Sequence, residues 1–489
     1  MNTARHRPPI PRSLLIGTIA LALIGPFQAR SLEQMASYAV VLVAALAPTF
    51  MWFRIGAPSI PILPVVSMAY IPYYAWPILS TSQNLFSFTD WEILRAALTI
   101  ALYLFAAMIG WRMLIRPARA GNGPTAQNPI DHRVVRVVSA GLVVGIIYEI
   151  ALITGWLYWT GPFFGVARAA AVTLATIACF LTGAARAQRL LRGRAWAAAL
   201  TALGALVVLT WTSLFLIGGI VYLLAVLFGH VIVTRRVPWH WAIASFVVLA
   251  ILHAGKAEMR AKYWEAQSNY SASLSITDLP GFTKEWLADG IAAIRDGDSD
   301  TGLINRASLL QIVLRVQRAT PDRIDYLGGE TYSLVPRTLV PRFVDPNKPT
   351  SQAAMDLLNV RYGVLTLQNT EVTAVGWGLV AEAFANFGYL GVVMIGVLFG
   401  VFCALLSNAS ARANIVSRVM LLSIATMMVL INVEADSVTL CSTLLQTAIA
   451  IIAVDQAYKS LALRPASNDT ASTALLANSG AGVVSTHTP

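Results

Sequence analysis

Long apolar stretches recur along most of this chain, and they constrain its fold more than any other feature. A helix needs about 20 consecutive apolar residues to cross the hydrocarbon core of a bilayer. Hydrophobic residues make up 57% of the sequence and charged residues only 12%. We therefore predict an all-α polytopic membrane protein with about 12 transmembrane helices. The candidate spans are 13–29, 35–53, 60–80, 93–115, 137–159, 163–183, 195–211, 213–233, 239–254, 378–407, 418–433 and 437–455.

Two of these regions have an alternative interpretation. The first span follows Arg5, Arg7 and Arg12, as the apolar core of a secretory signal peptide would. Many spans lie behind it and no clear small-x-small cleavage pattern follows it, so we expect a retained anchor. The stretch 195–233 is divided only by Trp211-Thr212-Ser213, so it is either two spans or one broken or re-entrant element.

The positions of Lys and Arg predict the orientation, because cytoplasmic loops carry an excess of both residues. With the N-terminus inside, 19 of the 35 Lys and Arg fall on the inner side. Only Arg30, Arg95 and Arg168 fall at the outer ends of the short-loop spans, and the other 13 lie in the segment 255–377. We expect both termini in the cytoplasm. The net charge of +11 follows from this bias, and we expect no nucleic-acid partner.

The segment 255–377 divides the chain into parts. It follows an N-terminal bundle of about nine spans, residues 1–254, and precedes about three C-terminal spans, residues 378–458. The tail 459–489 is rich in small and polar residues, so we expect a disordered cytoplasmic tail. The segment 255–377 itself holds 14 acidic and 13 basic residues. We predict that it forms one large periplasmic loop.

This loop contains too many apolar residues to be a simple solvated connection. Residues 281–294 and 302–318 have the pattern of short amphipathic helices. Asp298, Ser299 or Asp300 can cap the second of them. We expect both helices to lie along the membrane surface.

The stretch 322–349 is the densest polar part of the chain. Its four prolines and paired glycines predict an irregular loop rather than a long helix. Arg337, Arg342 and Lys348 supply cations suited to phosphate oxygens, and Glu330 can accept a proton or position a hydroxyl. The alternative is a rigid loop whose ions pair with each other.

Three elements in the C-terminal third resemble the patterns of a known family. Gly329-Glu330-Thr331-Tyr332 and Pro341-Arg342-Phe343-Val344-Asp345-Pro346-Asn347-Lys348-Pro349 resemble a Gly-x-(Ser/Thr)-Tyr element and a Pro-Arg-Phe-x-x-Pro-x-Lys-Pro run. Glu382-Ala383-Phe384-Ala385-Asn386-Phe387-Gly388-Tyr389-Leu390-Gly391 resembles a Glu-x-x-x-Asn-Phe-Gly-x-x-Gly element. These patterns are typical of the bacterial oligosaccharide repeat-unit polymerases, the Wzy-type O-antigen polymerase family.

The resemblance implies an enzyme of GT-C-like architecture at the periplasmic face of a bacterial inner membrane. Its substrates would be undecaprenyl-pyrophosphate-linked oligosaccharides. A sugar hydroxyl of one repeat unit would attack the anomeric carbon of another chain, and undecaprenyl pyrophosphate would leave. The implied partners are membrane lipids, a flippase and a chain-length regulator, with no cofactor and no metal.

This chemistry requires cations for the leaving group and a carboxylate for the acceptor hydroxyl. We expect Arg337 and Arg342 to stabilise the pyrophosphate. Glu330, or in second place Glu382, is expected to accept or orient the proton. The residues that we expect to bind the substrate are Arg318, Tyr332, Lys348, Asn386 and Glu149.

Ionisable residues near the outer ends of the spans predict a polar cavity that opens outward. Glu149 sits about two-thirds of the way across its helix, where an ion is unfavourable by a few kcal/mol. We expect it to line the cavity or to pair with a buried cation. Snorkelling to the interface is the alternative for the arginines. The other residues at this depth are Arg95, Arg168, Glu382, Glu434 and Asp436.

Metal chemistry has little support in the sequence. Asp90-Trp91-Glu92 is a spaced acidic pair of the kind found in metal-dependent lipid-linked glycosyltransferases, but a solvated loop is the interpretation that we favour. Cys179, Cys403 and Cys441 lie in apolar runs and have no metal-ligand spacing.

Three other functions are alternatives to a polymerase. A lipid-linked glycan flippase or transporter would spread polar residues along several helices and keep its loops short. A ligase-like glycosyltransferase of the O-antigen ligase branch would carry a periplasmic His, and 255–377 contains none. A scaffold in polysaccharide export would tolerate the loss of Arg342 or Glu330.

The predicted orientation can be tested with a single cysteine near residue 340. In a variant whose three native cysteines are replaced, Val344→Cys should react with a membrane-impermeant maleimide in cells whose inner membrane is intact, because the segment lies outside. Labelling that occurs only after the inner membrane is breached would contradict the orientation.

Overall fold

A computed structural model of the chain describes residues 11–57, 60–79, 85, 87–117, 133–157, 164–265, 276–295, 309–340, 344–370, 373–411 and 413–462. All regular secondary structure in these ranges is helical. The first nine helices are α1 (Arg12–Gln28), α2 (Leu32–Arg54), α3 (Ile62–Tyr70, continued by Ile71–Ala75 and Trp76–Leu79), α4 (Asp90–Leu114), α5 (Arg133–Ile153), α6 (Phe164–Ala187), α7 (Gly193–Trp211), α8 (Leu216–Thr234) and α9 (Trp239–Ala254). The others are α10 (Lys256–Arg260, continued by Ala261–Glu265), α11 (Leu279–Arg295, after a turn Ile276–Asp278), α12 (Leu309–Ala319), α13 (Glu330–Leu339), α14 (Ala353–Arg361), α15 (Leu367–Thr370), α16 (Gly378–Ser410), α17 (Arg418–Leu430) and α18 (Ser437–Ala462).

Each of the twelve predicted spans falls on a helix. Within the described ranges, nine helices are long and apolar enough to cross a bilayer: α2 to α8, α16 and α18. A tenth arises if α9 and α10, which meet at a bend of 51°, form one span. The apolar helices α1 and α17 are shorter, with 17 and 13 residues. The chain is therefore an all-α polytopic membrane protein, and the count of twelve stays a prediction.

The ambiguous stretch 195–233 is two helices. α7 and α8 have 19 residues each, and the turn 212–215 separates them. Leu214 adopts a left-handed conformation in this turn, and the indole N–H of Trp211 donates to the Leu216 carbonyl at 3.0 Å.

Small residues set the closest helix contacts. A Cβ placed on Gly400 of α16 would lie 1.8 Å from the Ala107 carbonyl oxygen of α4. A Cβ on Gly229 of α8 would likewise lie 1.9 Å from the Phe180 carbonyl oxygen of α6. Lipid tails are as apolar as the side chains, so helix association in a bilayer depends on such close backbone packing.

Contacts between helix ends sort into two sets. At one end, the Arg116 amide donates to Asn408 at 3.0 Å, and Ser407 donates to the Ile60 carbonyl at 3.0 Å. At the other end, Arg318 pairs with Glu92 at 2.7 Å.

Contacts at this second end also show how the chain runs through α9 and α17, the two less certain spans. Arg260 follows α9 and donates to the Leu214 carbonyl, which precedes α8, at 3.2 Å. The chain therefore leaves this end along α8 and returns to it along α9. Ser437, after α17, donates to Glu382 near the start of α16. Because α16 leads to the opposite end, the short helix α17 must lead back.

The two amphipathic helices predicted in the loop pack against different parts of the chain. The first, predicted at 281–294, is α11; its Trp286 side chain donates to the Leu252 carbonyl of α9 at 2.6 Å. The second is described from Leu309 as α12, and the predicted caps at 298–300 lie outside the described residues.

The prediction that both helices lie along the surface is wrong for α12. Seven of its eleven residues are buried, and it packs against α4 and α16. Its Gln317 amide donates to Thr99 of α4 at 2.7 Å. Apolar residues cover most of its circumference, so the helix is more stable inside the bundle than on its surface.

The prediction of an irregular loop across 322–349 is also wrong in part, because Glu330–Leu339 forms α13. Gly328 and Gly329, both at positive φ, make the turn that precedes it. Only Pro336 lies inside the helix, and the other three prolines follow its end. A ten-residue helix has few internal hydrogen bonds, so one missing N–H is tolerated.

The contact between α4 and α16 predicts a matched pair of variants. Gly400→Leu should lower stability by about 1 to 3 kcal/mol or more, because the side chain must push two backbones apart. Gly204→Leu on α7 should have little effect, since a Cβ there meets nothing within 4 Å. Thermal unfolding in detergent would measure both, and equal midpoints would contradict this account of the packing.

Candidate functional site

Two of the three sequence elements that carry the resemblance, Gly329–Tyr332 and Glu382–Gly391, meet in space. Asn386 of α16 is fully buried, and its side-chain oxygen accepts from the Gly329 amide at 3.1 Å. Its side-chain NH₂ donates to the Thr331 hydroxyl at 2.8 Å. The backbone amides of Leu327 and Gly328 donate to the carbonyls of Ala385 and Asn386, at 3.0 and 3.1 Å. The Asn386 side chain therefore holds the start of α13 against α16.

A break in α16 makes this attachment possible. Phe387 and Gly388 leave the helical conformation, with φ of 61° at Gly388. The break removes the amides that would normally bond the carbonyls of residues 385 and 386, so these become available to the α13 segment. A Cβ on Gly388 would lie 2.8 Å from the Tyr326 hydroxyl, so the close approach also requires glycine.

Tyr332 lies just inside this junction. Its ring stacks on that of Phe387, with centroids 6.0 Å apart and an interplanar angle of 7°. Its hydroxyl is buried and makes no hydrogen bond to the described residues. Burial raises the pKa of Tyr332 above its ordinary value, and the Glu382 carboxylate raises it further.

Glu382 is fully buried beneath α13 and holds the start of α18. Its carboxylate accepts from the Ser437 amide at 2.7 Å and from the Ser437 hydroxyl at 2.6 Å. Asp436, also fully buried, accepts from the Thr439 amide at 2.7 Å. The N–H groups at a helix N-terminus stabilise carboxylates, so both acids serve as caps here. The Asp-Ser pair before an apolar run is a capping signal that a sequence analysis could have used.

Glu330 stands at the solvent-facing side of the same junction. It pairs with Arg361 of α14 at 3.0 Å, and the two side chains are 43% and 48% exposed. The sequence analysis missed Arg361, which follows Glu330 by 31 residues and belongs to no motif. Arg361 holds the Glu330 carboxylate in place at the surface.

Arg337 lies seven residues after Glu330, so the two occupy the same face of α13, about 10 Å apart along its axis. Its side chain is 63% exposed and is 4.0 Å from Asp345. Lys348 donates to the Thr338 carbonyl at 2.7 Å, where it complements the C-terminal end of the helix. Arg342 lies outside the described residues.

Arg318 does not lie near the exposed face of α13 that carries Glu330 and Arg337. It forms two hydrogen bonds of 2.7 Å to Glu92 and stacks over Phe88, 3.9 Å from the ring centroid. The pairing raises the pKa of Arg318. Glu92 also forms a capping box with Thr89 at the start of α4. Arg318 thus fastens α12 to the end of α4.

The other ionisable residues at this depth have different neighbours. Glu149, 6% exposed, accepts from Thr210 of α7 at 3.1 Å and lies near Arg168 and Tyr222. Arg95 donates to the Tyr389 hydroxyl at 2.8 Å. The polar cavity that opens outward stays a prediction.

The arrangement presents the Glu330 carboxylate and the Arg337 guanidinium on an exposed face of α13 above a buried polar layer. In the described ranges, no group of three or more His, Cys, Asp or Glu could hold a metal ion. No family model matches the chain, and no curated protein or solved structure does so either.

Because Asn386 holds α13 against α16, we predict a local effect of Asn386→Ala. Removal of the side chain leaves the Gly329 amide and the Thr331 hydroxyl without partners. The free energy of unfolding should fall by about 2 to 4 kcal/mol. Amide hydrogen exchange should become faster in residues 327–339, with little change in α11. Asn347→Ala is the control, because that exposed side chain makes no such contacts. Unchanged exchange in 327–339 would show that Asn386 does not hold α13 in place.

Proposed function

We propose that this protein is a membrane glycosyltransferase that joins undecaprenyl-pyrophosphate-linked oligosaccharide repeat units into a surface polysaccharide. One observation carries the proposal. Two of the elements that resemble the Wzy-type polymerases, Gly329–Tyr332 and Glu382–Gly391, dock on each other through Asn386, and α13 exposes Glu330 and Arg337 on one face. The distribution of Lys and Arg supports a periplasmic position for that face.

The leaving group of this reaction is a polyanion. Preorganised guanidinium groups are suited to stabilise the charge that develops on pyrophosphate as the glycosidic bond breaks. Arg337 is exposed for this role, and Arg342 is its expected companion. Lys348 donates a hydrogen bond to a carbonyl at the end of α13.

The acceptor is a sugar hydroxyl that attacks the anomeric carbon. Glu330 is the carboxylate positioned to orient this hydroxyl or to take its proton, with Arg361 fixing its geometry. Glu382 is occupied by Ser437, so its role is to hold the helices that carry the face.

A lipid-linked substrate also needs a place for its prenyl chain. An apolar groove of about 500 Å³ lies between Val208 of α7 and Leu279, Pro280 and Leu287 of α11. Lys284 lies at this groove. The α7–α8 turn contacts Arg260 at the same end of the bundle as α13, which suits a chain whose head group lies at that end.

Extension of a synthetic lipid-linked repeat unit by the purified chain tests the proposal. Arg337→Ala and Glu330→Gln should each lower the rate of elongation about 100-fold, the loss typical of a charge-stabilising group. Arg361→Ala should lower it less, because that residue acts through Glu330.

Arg295→Ala, an exposed arginine of α11 outside the proposed site, is the matched control and should retain the wild-type rate. A purified chain that moves labelled lipid across a vesicle without elongating it would favour the flippase instead. Elongation that is unchanged in all three site variants would refute the assigned roles.

A further inference from the structure

A cluster of arginines lies at the end of the bundle opposite α13. Four lie at the adjoining ends of α6 and α7 or in the connection between them, and two belong to the connection between α8 and α9. All six side chains are exposed. We call them the arginine patch: Arg186, Arg189, Arg192, Arg194, Arg235 and Arg236.

The two connections are neighbours in space. The rings of Trp196 on α7 and Trp241 on α9 lie 5.6 Å apart. The Arg186 guanidinium lies over the Trp196 ring at 5.0 Å and donates to the Leu191 carbonyl. Close packing of α6 on α8 through Gly183 and Gly229 holds the connections together.

Among the residues that the structure describes, the patch has no acidic partner. The sequence contains no Asp or Glu between Glu149 and Glu258. In the described ranges, none of the six arginines pairs with a carboxylate, whereas Arg418 pairs with Asp455. Six like charges in two neighbouring connections repel each other, so an anion that bridges them would stabilise this arrangement.

Tryptophans place the patch at the depth of lipid head groups. Trp239 and Trp241 are 52% and 38% exposed although both are large and amphipathic. Such side chains concentrate at the interface between hydrocarbon and water. The anion available at that depth is the phosphate of a lipid, and guanidinium groups bind phosphate oxygens through two parallel hydrogen bonds.

We propose that the arginine patch is a binding site for anionic phospholipid head groups of the adjacent leaflet. A head group with two phosphates should bind more tightly than one with a single phosphate, because the charges are spread over two connections. The site is independent of the proposed glycosyl transfer.

The test uses the full chain, delipidated in a neutral detergent, and native mass spectrometry with phosphatidylcholine, phosphatidylglycerol or cardiolipin. Wild type should retain cardiolipin most strongly and phosphatidylcholine least. The triple variant Arg189→Gln, Arg192→Gln, Arg194→Gln should bind cardiolipin about 100-fold more weakly at low salt, because three of the guanidinium groups that bind its phosphates are lost.

A control variant removes equal charge at the same end of the bundle: Arg54→Gln, Arg112→Gln, Arg116→Gln. Its cardiolipin affinity should stay within about threefold of wild type, because those arginines lie outside the patch. Equal loss in both triple variants, or retention of phosphatidylcholine as strong as that of cardiolipin, would overturn the proposal. Circular dichroism of each variant shows whether the fold is kept.

Discussion

Asn386 joins two parts of the chain that are more than fifty residues apart, and the geometry of the candidate site depends on this contact. A helix that crosses a bilayer normally satisfies its own backbone, so it has no groups to offer a neighbour. The break at Phe387 and Gly388 changes this, because it frees two carbonyls of α16 for the segment before α13. The amide side chain of Asn386 then supplies both the acceptor and the donor that the first residues of α13 require.

The buried polar layer beneath this contact explains why several motif residues are not at the surface. Glu382 would be unfavourable inside the bundle if its carboxylate lacked partners. The start of α18 supplies them, through the amide and the hydroxyl of Ser437. The motif residues therefore divide by role: Glu382 and Asn386 hold three helices together, while Glu330 and Arg337 face outward on α13.

The two ends of the bundle differ in their charge. The end with α13 carries acidic and basic side chains in near balance, and many of them pair, as Arg318 does with Glu92 and Arg361 with Glu330. The opposite end carries the arginine patch without carboxylate partners in the described ranges. An ion pair fixes geometry without needing a ligand, whereas a group of like charges depends on an external anion. The first arrangement suits a structured site, and the second suits contact with the lipid surface.

The sequence by itself determined the positions of the membrane helices, since hydropathy is a local property that each stretch displays alone. Every predicted span lies on a helix, and the stretch 195–233, for which the sequence left one broken element open, forms two helices separated by a four-residue turn. The bias of Lys and Arg is likewise a property of each loop. The sequence also singled out Glu330, Glu382 and Asn386 as members of motifs, and Arg337 as a cation of the polar stretch 322–349.

Only the tertiary structure decided what those residues do. The partners of Arg318, Glu330 and Glu382 lie 226, 31 and 55 residues away, and no local pattern encodes such pairings. The helix α13 forms despite Pro336 because α14, α16 and α18 pack around it. Burial of α12 was missed for the same reason, since an amphipathic pattern reports an apolar face but not whether lipid or protein covers it. Helix propensity acts over a few residues, whereas a buried polar group is stabilised by whichever part of the chain the fold brings to it.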